Sequence, residues 1–578
     1  MGSRYTDLSR DELIRLLEAR DRRDATRFGL VWEANEIERD RALNNDFVAL
    51  DLAPELSVGS APWRNLIIEG DNFDALRYLR MAFAGRVKCI YIDPPYNTGN
   101  RDFVYNDQFV DREDLWRHSK WCEFMFQRLT LTRDLLREDG VIFVSIDDNE
   151  AHTLRMLMDR VFGAGNFIAN LVWEKGKKGD AKLFSVTHEY VVVYAACKAL
   201  LIERNTVWRR RKAGVNTVLA HYERLRKQHG GEAGLDHSTI RAEMMKWYRN
   251  LPATEPAKQH KHYNRSDDRG LYFAADFAGP DDGRENRPRY DILHPDTGGS
   301  CKKPSTGWRW DEGTTRKALE ERPPRIHFGP DETTIPCRKS YLSEVDAEPY
   351  PSVFYKDGRA ATLAVERILG EGIFNFPKDA DVIADLIRLT TGPNDLVLDF
   401  FAGSGTTAHA VHKLNAEDGG KRRVILVSST EAATDTQDRN LSRDVCARRV
   451  QRVIEGYGDT AGLGGDFAYL RCRRIPQGKL LEIDHAQVWT ALQLIHREAL
   501  MPYAEAPFLW AGDEEQGLLY VPRFRREDAR ALRKQARQSA AVILYSWQPE
   551  TLRQHVPFPN VQHEPIPEGL ARRFGLKT

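Results

Sequence analysis

The sequence has no Cys-x-x-Cys pair, and its seven cysteines (Cys89, Cys122, Cys197, Cys301, Cys337, Cys446, Cys472) are scattered along the chain. That scatter excludes a zinc site of the usual spacing and a disulfide framework, and it suits a reducing cytoplasm. No metal is expected. No apolar run approaches the roughly 20 residues that span a bilayer, and Met1-Gly-Ser-Arg-Tyr-Thr-Asp7 lacks the hydrophobic segment of a signal peptide. A soluble cytoplasmic protein with no membrane partner is the expectation. An excess of one charge is missing too, because 85 Lys and Arg balance 85 Asp and Glu. Nucleic-acid binding therefore has to come from local basic patches. There is no Gly-x-x-x-x-Gly-Lys-Ser/Thr run, which excludes a P-loop ATPase, and no convincing nuclease carboxylate cluster.

What is present is a 578-residue chain with 41% hydrophobic and 29% charged residues, too long for one core. Ser9-Arg-Asp-Glu12 has the form of a capping box opening a short amphipathic helix. Leu66 to Gly70 reads as a strand, Phe73 to Ala82 as a helix, and Val87 to Ile92 as a buried strand. That is the unit that builds parallel sheets, whose ligands bind outside the carboxyl ends of the strands. Asp71 and Asp93 each sit at such an end.

The second strand stops in Asp93-Pro94-Pro95-Tyr96, since two consecutive prolines cannot donate to a sheet ladder. A carboxylate, a stiff turn that aims its carbonyls and an aromatic ring suit a flat base held by its exocyclic amine. An ordinary proline turn after a strand has the same local form, so the rest of the chain must decide. Helix 113–137, the apolar strand Gly140 to Ile146, helix 150–162 and strands Phe167 to Trp173 and Glu189 to Ala195 continue the alternation.

Near Lys198 the periodicity fades and basic residues cluster: Arg209, Arg210, Arg211 and Lys212, then Arg224, Lys227, Lys261 and Arg265. Trp247, Tyr248, Tyr263, Tyr272, Trp308 and Trp310 are interleaved with them. A charge run is usually a solvated face. Here the arginines can neutralise phosphates and read guanine edges, so Arg209, Arg210, Arg211, Lys212, Lys261 and Arg265 are candidate DNA contacts.

Alternation returns with helix Ala380 to Thr390, strand Asp395 to Asp399, helix Thr406 to Leu414, strand Arg423 to Ser428 and a basic helix over 439–456. The glycines of Asp399-Phe-Phe-Ala-Gly-Ser-Gly405 allow a tight turn and close approach of a ligand to backbone amides. Glu431, after the next strand, is placed to accept from ribose hydroxyls. A third glycine is missing, so this is not the dinucleotide fingerprint. Beyond Ile475 the segment has helical stretches over 486–499 and 526–538 and a strand over Ala541 to Tyr545, with no recognisable chemistry.

Six motifs carry a resemblance: Gly29-Leu-Val-Trp-Glu33, Gly70-Asp-Asn72, Ile90-Tyr-Ile-Asp-Pro-Pro-Tyr-Asn-Thr-Gly99, His188-Glu-Tyr190, Phe376-Pro-Lys378 and Leu398-Asp-Phe-Phe-Ala-Gly-Ser-Gly-Thr-Thr-Ala-His-Ala410. Over about residues 1–475 the chain resembles amino-group DNA methyltransferases of the β arrangement, above all modification subunits of type III restriction–modification systems. The resemblance implies an α/β fold: a Rossmann-like methyltransferase sheet in permuted order with an inserted target-recognition domain. The implied segments are an N-terminal helical part (1–60), a catalytic half (61–197), a target-recognition insert (198–350), a cofactor half (351–475) and a smaller C-terminal α+β domain (476–578).

It further implies S-adenosylmethionine as methyl donor and N6 of adenine in double-stranded DNA as acceptor. Cytosine N4 and a catalytically silent DNA-binding specificity subunit are the alternatives. Asp93, Pro94, Pro95 and Tyr96 become the catalytic set, with Tyr96 stacked on a flipped-out base. Asp71, Phe376, Pro377, Lys378, Asp399, Phe400, Ala402, Gly403, Gly405, Thr406 and Glu431 become the cofactor set. A helicase–nuclease restriction partner and a homodimer are implied by the same likeness.

Overall fold

The computed structural model describes residues 9–10, 12–15, 17–18, 46–99, 104–105, 108–109, 117–176, 181–231, 234–282, 286–430 and 439–575. Gly29 to Glu33 and Glu431 lie outside the described residues. Ser9 and Glu12 exchange reciprocal hydrogen bonds, Ser9 N to Glu12 Oε2 at 2.6 Å and Glu12 N to Ser9 Oγ at 3.4 Å. That is the capping box read from the sequence.

Contacts divide the chain into two compact units, residues 1–207 with 351–578, and residues 208–350. The first is built on a ten-stranded sheet. Its strands are β1 (Phe47–Leu52), β2 (Leu66–Glu69), β3 (Val87–Ile92), β4 (Leu136–Ile146), β5 (Phe167–Glu174), β6 (His188–Ala195), β7 (Val353–Tyr355), β8 (Leu396–Asp399), β9 (Arg423–Ser428) and β10 (Ala468–Ile475). Across the sheet they run β1-β10-β2-β9-β8-β3-β4-β6-β5-β7. From β10 to β4 the neighbours are all parallel. β6 pairs antiparallel with β4 and β5, and β1 pairs antiparallel with β10.

Apolar composition puts these strands in the middle: every residue of β3 and β8 is buried. Strands with both faces covered read as continuous hydrophobic runs, as these do. β3 and β8 lie side by side, Leu398 opposite Ile90. From β3 the chain crosses to β4 on one side, and from β8 to β9 on the other. The carboxyl ends of β3 and β8 thus flank a topological switch point, where an open parallel sheet leaves a crevice.

The C-terminal segment carries a four-stranded sheet of Leu509–Gly512, Gln516–Val521, Ala541–Ser546 and Val561–Pro565. Residues 476–578 were expected as a smaller α+β domain. Helix His485–His496 packs on β1, and Val488, Trp489, Leu492, Tyr520, Tyr545 and Phe574 share one core cluster with β1, β2 and β3. The expected basic helix over 439–456 is π-helical over Leu441–Ala447 and α-helical over Arg448–Glu455.

In the second unit, helices Val215–Gln228 and His237–Asn250 close on Val218, Tyr222, Met244, Tyr248, Tyr263 and Leu271. A four-stranded sheet runs in the order Arg265–Asp267, Gly270–Ala275, Cys337–Tyr341, Ile326–His327.

Candidate active site

The turn after β3 is pinned from below. Trp121 Nε1 donates to the carbonyl of Pro95 at 2.7 Å. Asn97 is fully buried at φ 58°, and its Nδ2 donates to Glu150 Oε1 at 2.6 Å and to Arg117 O at 3.3 Å. A non-glycine residue at positive φ persists only where its surroundings hold it. This turn is therefore a rigid mount for Asp93.

Lys378, 285 residues further on, donates from Nζ to Asp93 Oδ2 at 2.7 Å. The other oxygen, Asp93 Oδ1, is buried and has no hydrogen-bond partner among the described residues. Lys378 Nζ also stands 3.6 Å from Glu189 Oε2 and 5.0 Å from the centre of the Tyr96 ring. Tyr96 donates its hydroxyl to Glu189 Oε2 at 3.1 Å, and Lys175 Nζ reaches the same oxygen at 2.5 Å. Burial works against the Lys378 ammonium, but Asp93 and then Glu189 outweigh it and hold its pKa above the ordinary lysine value. Burial, then the neighbouring Lys378 charge, pulls the Lys175 pKa below that value. The Tyr96 hydroxyl is pushed well up, by burial first and then by Asp93.

β8 delivers the glycine turn beside this cluster. Asp399 is buried; its Oδ1 accepts from Phe401 N at 3.0 Å and its Oδ2 from Thr407 Oγ1 at 2.5 Å. In this state Asp399 ties the turn to the helix Thr406–Asp418 that follows it. Phe400 is buried and its carbonyl accepts from Asn72 Nδ2 at 2.9 Å, while Ala402 N donates to Val427 O at 3.1 Å. Gly403 and Gly405 have φ of 50° and 79°. A Cβ on Gly405 would come within 3.0 Å of Val450 Cγ2 and 3.3 Å of Cys446 O, so only glycine fits. Arg449, 1% exposed, donates to Ser404 Oγ at 2.7 Å and Thr406 Oγ1 at 2.8 Å.

Asp71 caps helix Asn72–Phe83 by accepting from Phe73 N at 2.8 Å and Asp74 N at 3.2 Å, and its Oδ2 faces Arg128 at 3.2 Å. Phe376 sits at φ 55° with its ring 90% exposed, while Pro377 is buried.

Burial raises the Asp399 carboxyl to about 7, with the Thr407 and Phe401 hydrogen bonds opposing and Asp93 adding. A carboxyl raised in the folded state stays protonated there while the unfolded chain ionises. Stability is then full below about pH 4 and is lost as pH rises to about 7, on the order of 4 kcal/mol. Asp399→Asn is expected to remove that slope. Melting temperatures at pH 5 and pH 8 for both proteins check it, and equal slopes would refute the assignment.

The structure thus brings Asp93, Tyr96, Lys378 and the 399–406 turn to neighbouring strand ends. Glu189 and Lys175 were not among the expected site residues. Glu189 lay within the His188-Glu-Tyr190 motif without an assigned role, a lone carboxylate beside the apolar run of β6. Asn72 likewise lay within Gly70-Asp-Asn72 without a role, and Arg449 and Arg128, which with it brace the turn and the Asp71 cap, had no sequence signal of their own.

Among the basic candidates, Arg210 pairs with Glu348 at 3.0 Å, Arg211 with Asp346 at 2.9 Å, and Lys212 Nζ donates to Val345 O at 2.6 Å. Arg209 and Lys261 are exposed and Arg265 is half-buried. Four of the interleaved aromatics, Tyr248, Tyr263, Tyr272 and Trp308, are buried and pack cores. Among the described residues no His, Cys, Asp and Glu group could hold a metal, and no helix is long and apolar enough to cross a membrane.

The profile of the DNA methylase family matches residues 87–430, which spans both strand ends of the crevice and more than half of the chain. The chain belongs to the DNA methylase family. Among its relatives is the type III restriction–modification enzyme EcoP15I Mod subunit of Escherichia coli, 34% identical over 65% of this chain and 60% of the relative. The StyLTI Mod subunit of Salmonella typhimurium is 31% identical over 77% of this methylase and 66% of its own length. The chain thus spans under two thirds of those subunits. The type II methyltransferase M.KpnI of Klebsiella pneumoniae is 30% identical over 74% of this chain and 96% of its own. Of solved structures, the cytosine-N4-specific PvuII DNA methyltransferase aligns over 64% of this chain and 84% of its own at 12% identity and a TM-score of 0.31.

Proposed function

We propose that this methylase transfers a methyl group from S-adenosylmethionine to N6 of adenine in double-stranded DNA. The observation that carries the reading is Asp93 Oδ1, a buried acceptor without a partner at the switch point of the sheet, beside the glycine turn. An exocyclic amine is a poor nucleophile because its lone pair is delocalised into the ring. Asp93 Oδ1 and the Pro94 carbonyl accept its two hydrogens, draw the nitrogen toward tetrahedral geometry and free the lone pair. Tyr96 stacks on the flipped base, its hydroxyl anchored on Glu189.

The residues fit the donor. Gly403 has φ 50° and a Cβ on it would stand 3.3 Å from the Phe374 ring, so glycine is what the turn accepts there and its backbone carries no side chain. Gly403, Gly405 and Thr406 would hold the methionine part, with Ala402 and Phe400 behind them. Phe376 and Pro377 would close over it and Asp71 would lie by its adenine. Glu431 would take the ribose hydroxyls. Asp399 would act on that site through the turn it ties. When bound, the cofactor supplies an electrophilic methyl on a sulfonium. Held by Asp93 and the Pro94 carbonyl, the amine nitrogen would take that methyl as the sulfur–methyl bond pair goes to sulfur, and would then release one proton to solvent.

Adenine is favoured over cytosine N4 by Asp rather than Ser before Pro-Pro-Tyr and by the likeness to type III subunits. Residues 198–350, most of which form the second compact unit, are the proposed target-recognition insert, with Arg209, Arg210, Arg211, Lys212, Lys261 and Arg265 as DNA contacts. The names of the relatives, Mod subunits of type III restriction–modification enzymes, support a role in a restriction–modification system; a homodimer, a helicase–nuclease partner and a cytoplasmic location rest on the sequence resemblance. Sequencing modified bases in a methylation-free host that expresses the chain is expected to find N6-methyladenine in one motif. Methyl on cytosine would move the acceptor to N4, and unmodified DNA would leave a silent specificity subunit.

A further inference from the structure

We propose that Glu189 is a positioning residue that sets the charge of the cleft, balancing Lys175 and Lys378 so that the site stays neutral toward a cationic methyl donor. This rests on the methyl-transfer reading of the crevice.

Glu189 sits on β6, 4% exposed, followed by the buried Val191, Val192 and Val193. An apolar residue would pack there at no desolvation cost, so the strand itself has no need of a carboxylate. Its Oε2 takes Lys175 at 2.5 Å, the Tyr96 hydroxyl at 3.1 Å and Lys378 at 3.6 Å. Its Oε1 is buried with no partner among the described residues. A carboxylate kept for stability would satisfy both oxygens. This one leaves half of its acceptor capacity unused and directs its charge at the two lysines.

Asp93 and Glu189 carry two negative charges, and Lys175 and Lys378 two positive ones. Tyr91, bonded to Ser145 at 2.8 Å, and Tyr96 are held neutral by burial. Asp399, behind Asp93, adds at most a partial charge near neutral pH. The four charged groups therefore sum to zero. A sulfonium brings a positive charge to this cleft, and the accepting nitrogen inherits it. Without Glu189 the cluster would carry an extra positive charge in a partly dehydrated site, where like charges repel strongly.

The test separates charge from shape. The full chain, Glu189→Gln and the double variant Lys175→Met/Glu189→Gln are titrated calorimetrically with S-adenosylmethionine and with the neutral thioether S-adenosylhomocysteine. Glu189→Gln is expected to weaken the sulfonium ligand by about tenfold relative to the thioether at pH 7. The double variant is expected to recover the wild-type ratio. Relative to the wild type, which shares the Asp399 titration, the ratio in Glu189→Gln should also recover as pH rises, because Lys175, already disfavoured as a cation by burial and Lys378, loses its proton before Lys378. An unchanged ratio, an equal loss of both ligands, or no recovery in the double variant would overturn the proposal. A wild-type chain that binds neither ligand would overturn the methyl-transfer reading and this assignment with it.

Discussion

Asp93→Ala is expected to reduce methyl transfer to duplex DNA by about 10³-fold or more while cofactor binding survives. Removing one preorganised acceptor or donor from a catalytic site costs roughly 10²–10³ in turnover. Here the same carboxylate also orients the amine, so its loss removes geometry as well as charge. The turn that carries Asp93 stays fixed by Trp121 and Asn97, which do not depend on the carboxylate. The glycine turn of β8 is likewise braced by Asn72 and Arg449, so the cofactor side should remain intact. Label transfer from S-adenosylmethionine, read beside calorimetric binding of the same cofactor, separates the two effects. Asp93→Asn keeps the side-chain shape and one acceptor, and should retain more activity than the alanine variant. Turnover within tenfold of wild type in Asp93→Ala would remove this residue from the mechanism.

Both strand ends that frame the crevice were legible in the sequence because their signals are local. Val87 to Ile92 is closed by two prolines that cannot continue a ladder, and Leu396 to Asp399 runs into the glycine turn of Gly403 to Gly405. The link between them was not legible, since Lys378 and Asp93 stand 285 residues apart and no periodicity records such a contact. β1 and β10 escaped for a related reason. They pair Phe47 with Ile475 across the whole domain, and Arg471, Arg473 and Arg474 interrupt the apolar pattern of β10. In 208–350 basic residues and aromatics alternate in sequence as an exposed DNA surface would. Once helices Val215–Gln228 and His237–Asn250 form, their spacing turns Tyr222 and Tyr248 inward and leaves Arg224, Lys227 and Arg249 outside. Composition cannot distinguish those two outcomes; the helical period can.

Lys378→Met is the second large effect. The lysine side chain is 7% exposed and its ammonium bridges Asp93 and Glu189. Methionine fills similar volume without charge, so the loss is electrostatic rather than a cavity. Lys175 still covers Glu189 at 2.5 Å, which confines the damage to Asp93. The Asp93 side chain is 27% exposed and would lose the ammonium on Oδ2, beside an Oδ1 that already lacks a partner. Removing one member of a buried pair costs roughly 3–5 kcal/mol; partial exposure brings the expectation down to about 2 kcal/mol. The sign with pH follows from Lys378 itself. Its raised pKa means that the ammonium's contribution is full below the ordinary lysine range and is lost as pH rises through it. The variant's deficit should therefore be full near pH 7 and shrink above about pH 10.4, the ordinary lysine value. Urea unfolding of both proteins at pH 7 and pH 11 measures this. A deficit of the same size at both values would mean that Lys378 acts through packing. A deficit that shrinks at high pH, together with a turnover loss of about 10²-fold, would place its ammonium where the structure does, on the carboxylate that must receive the amine.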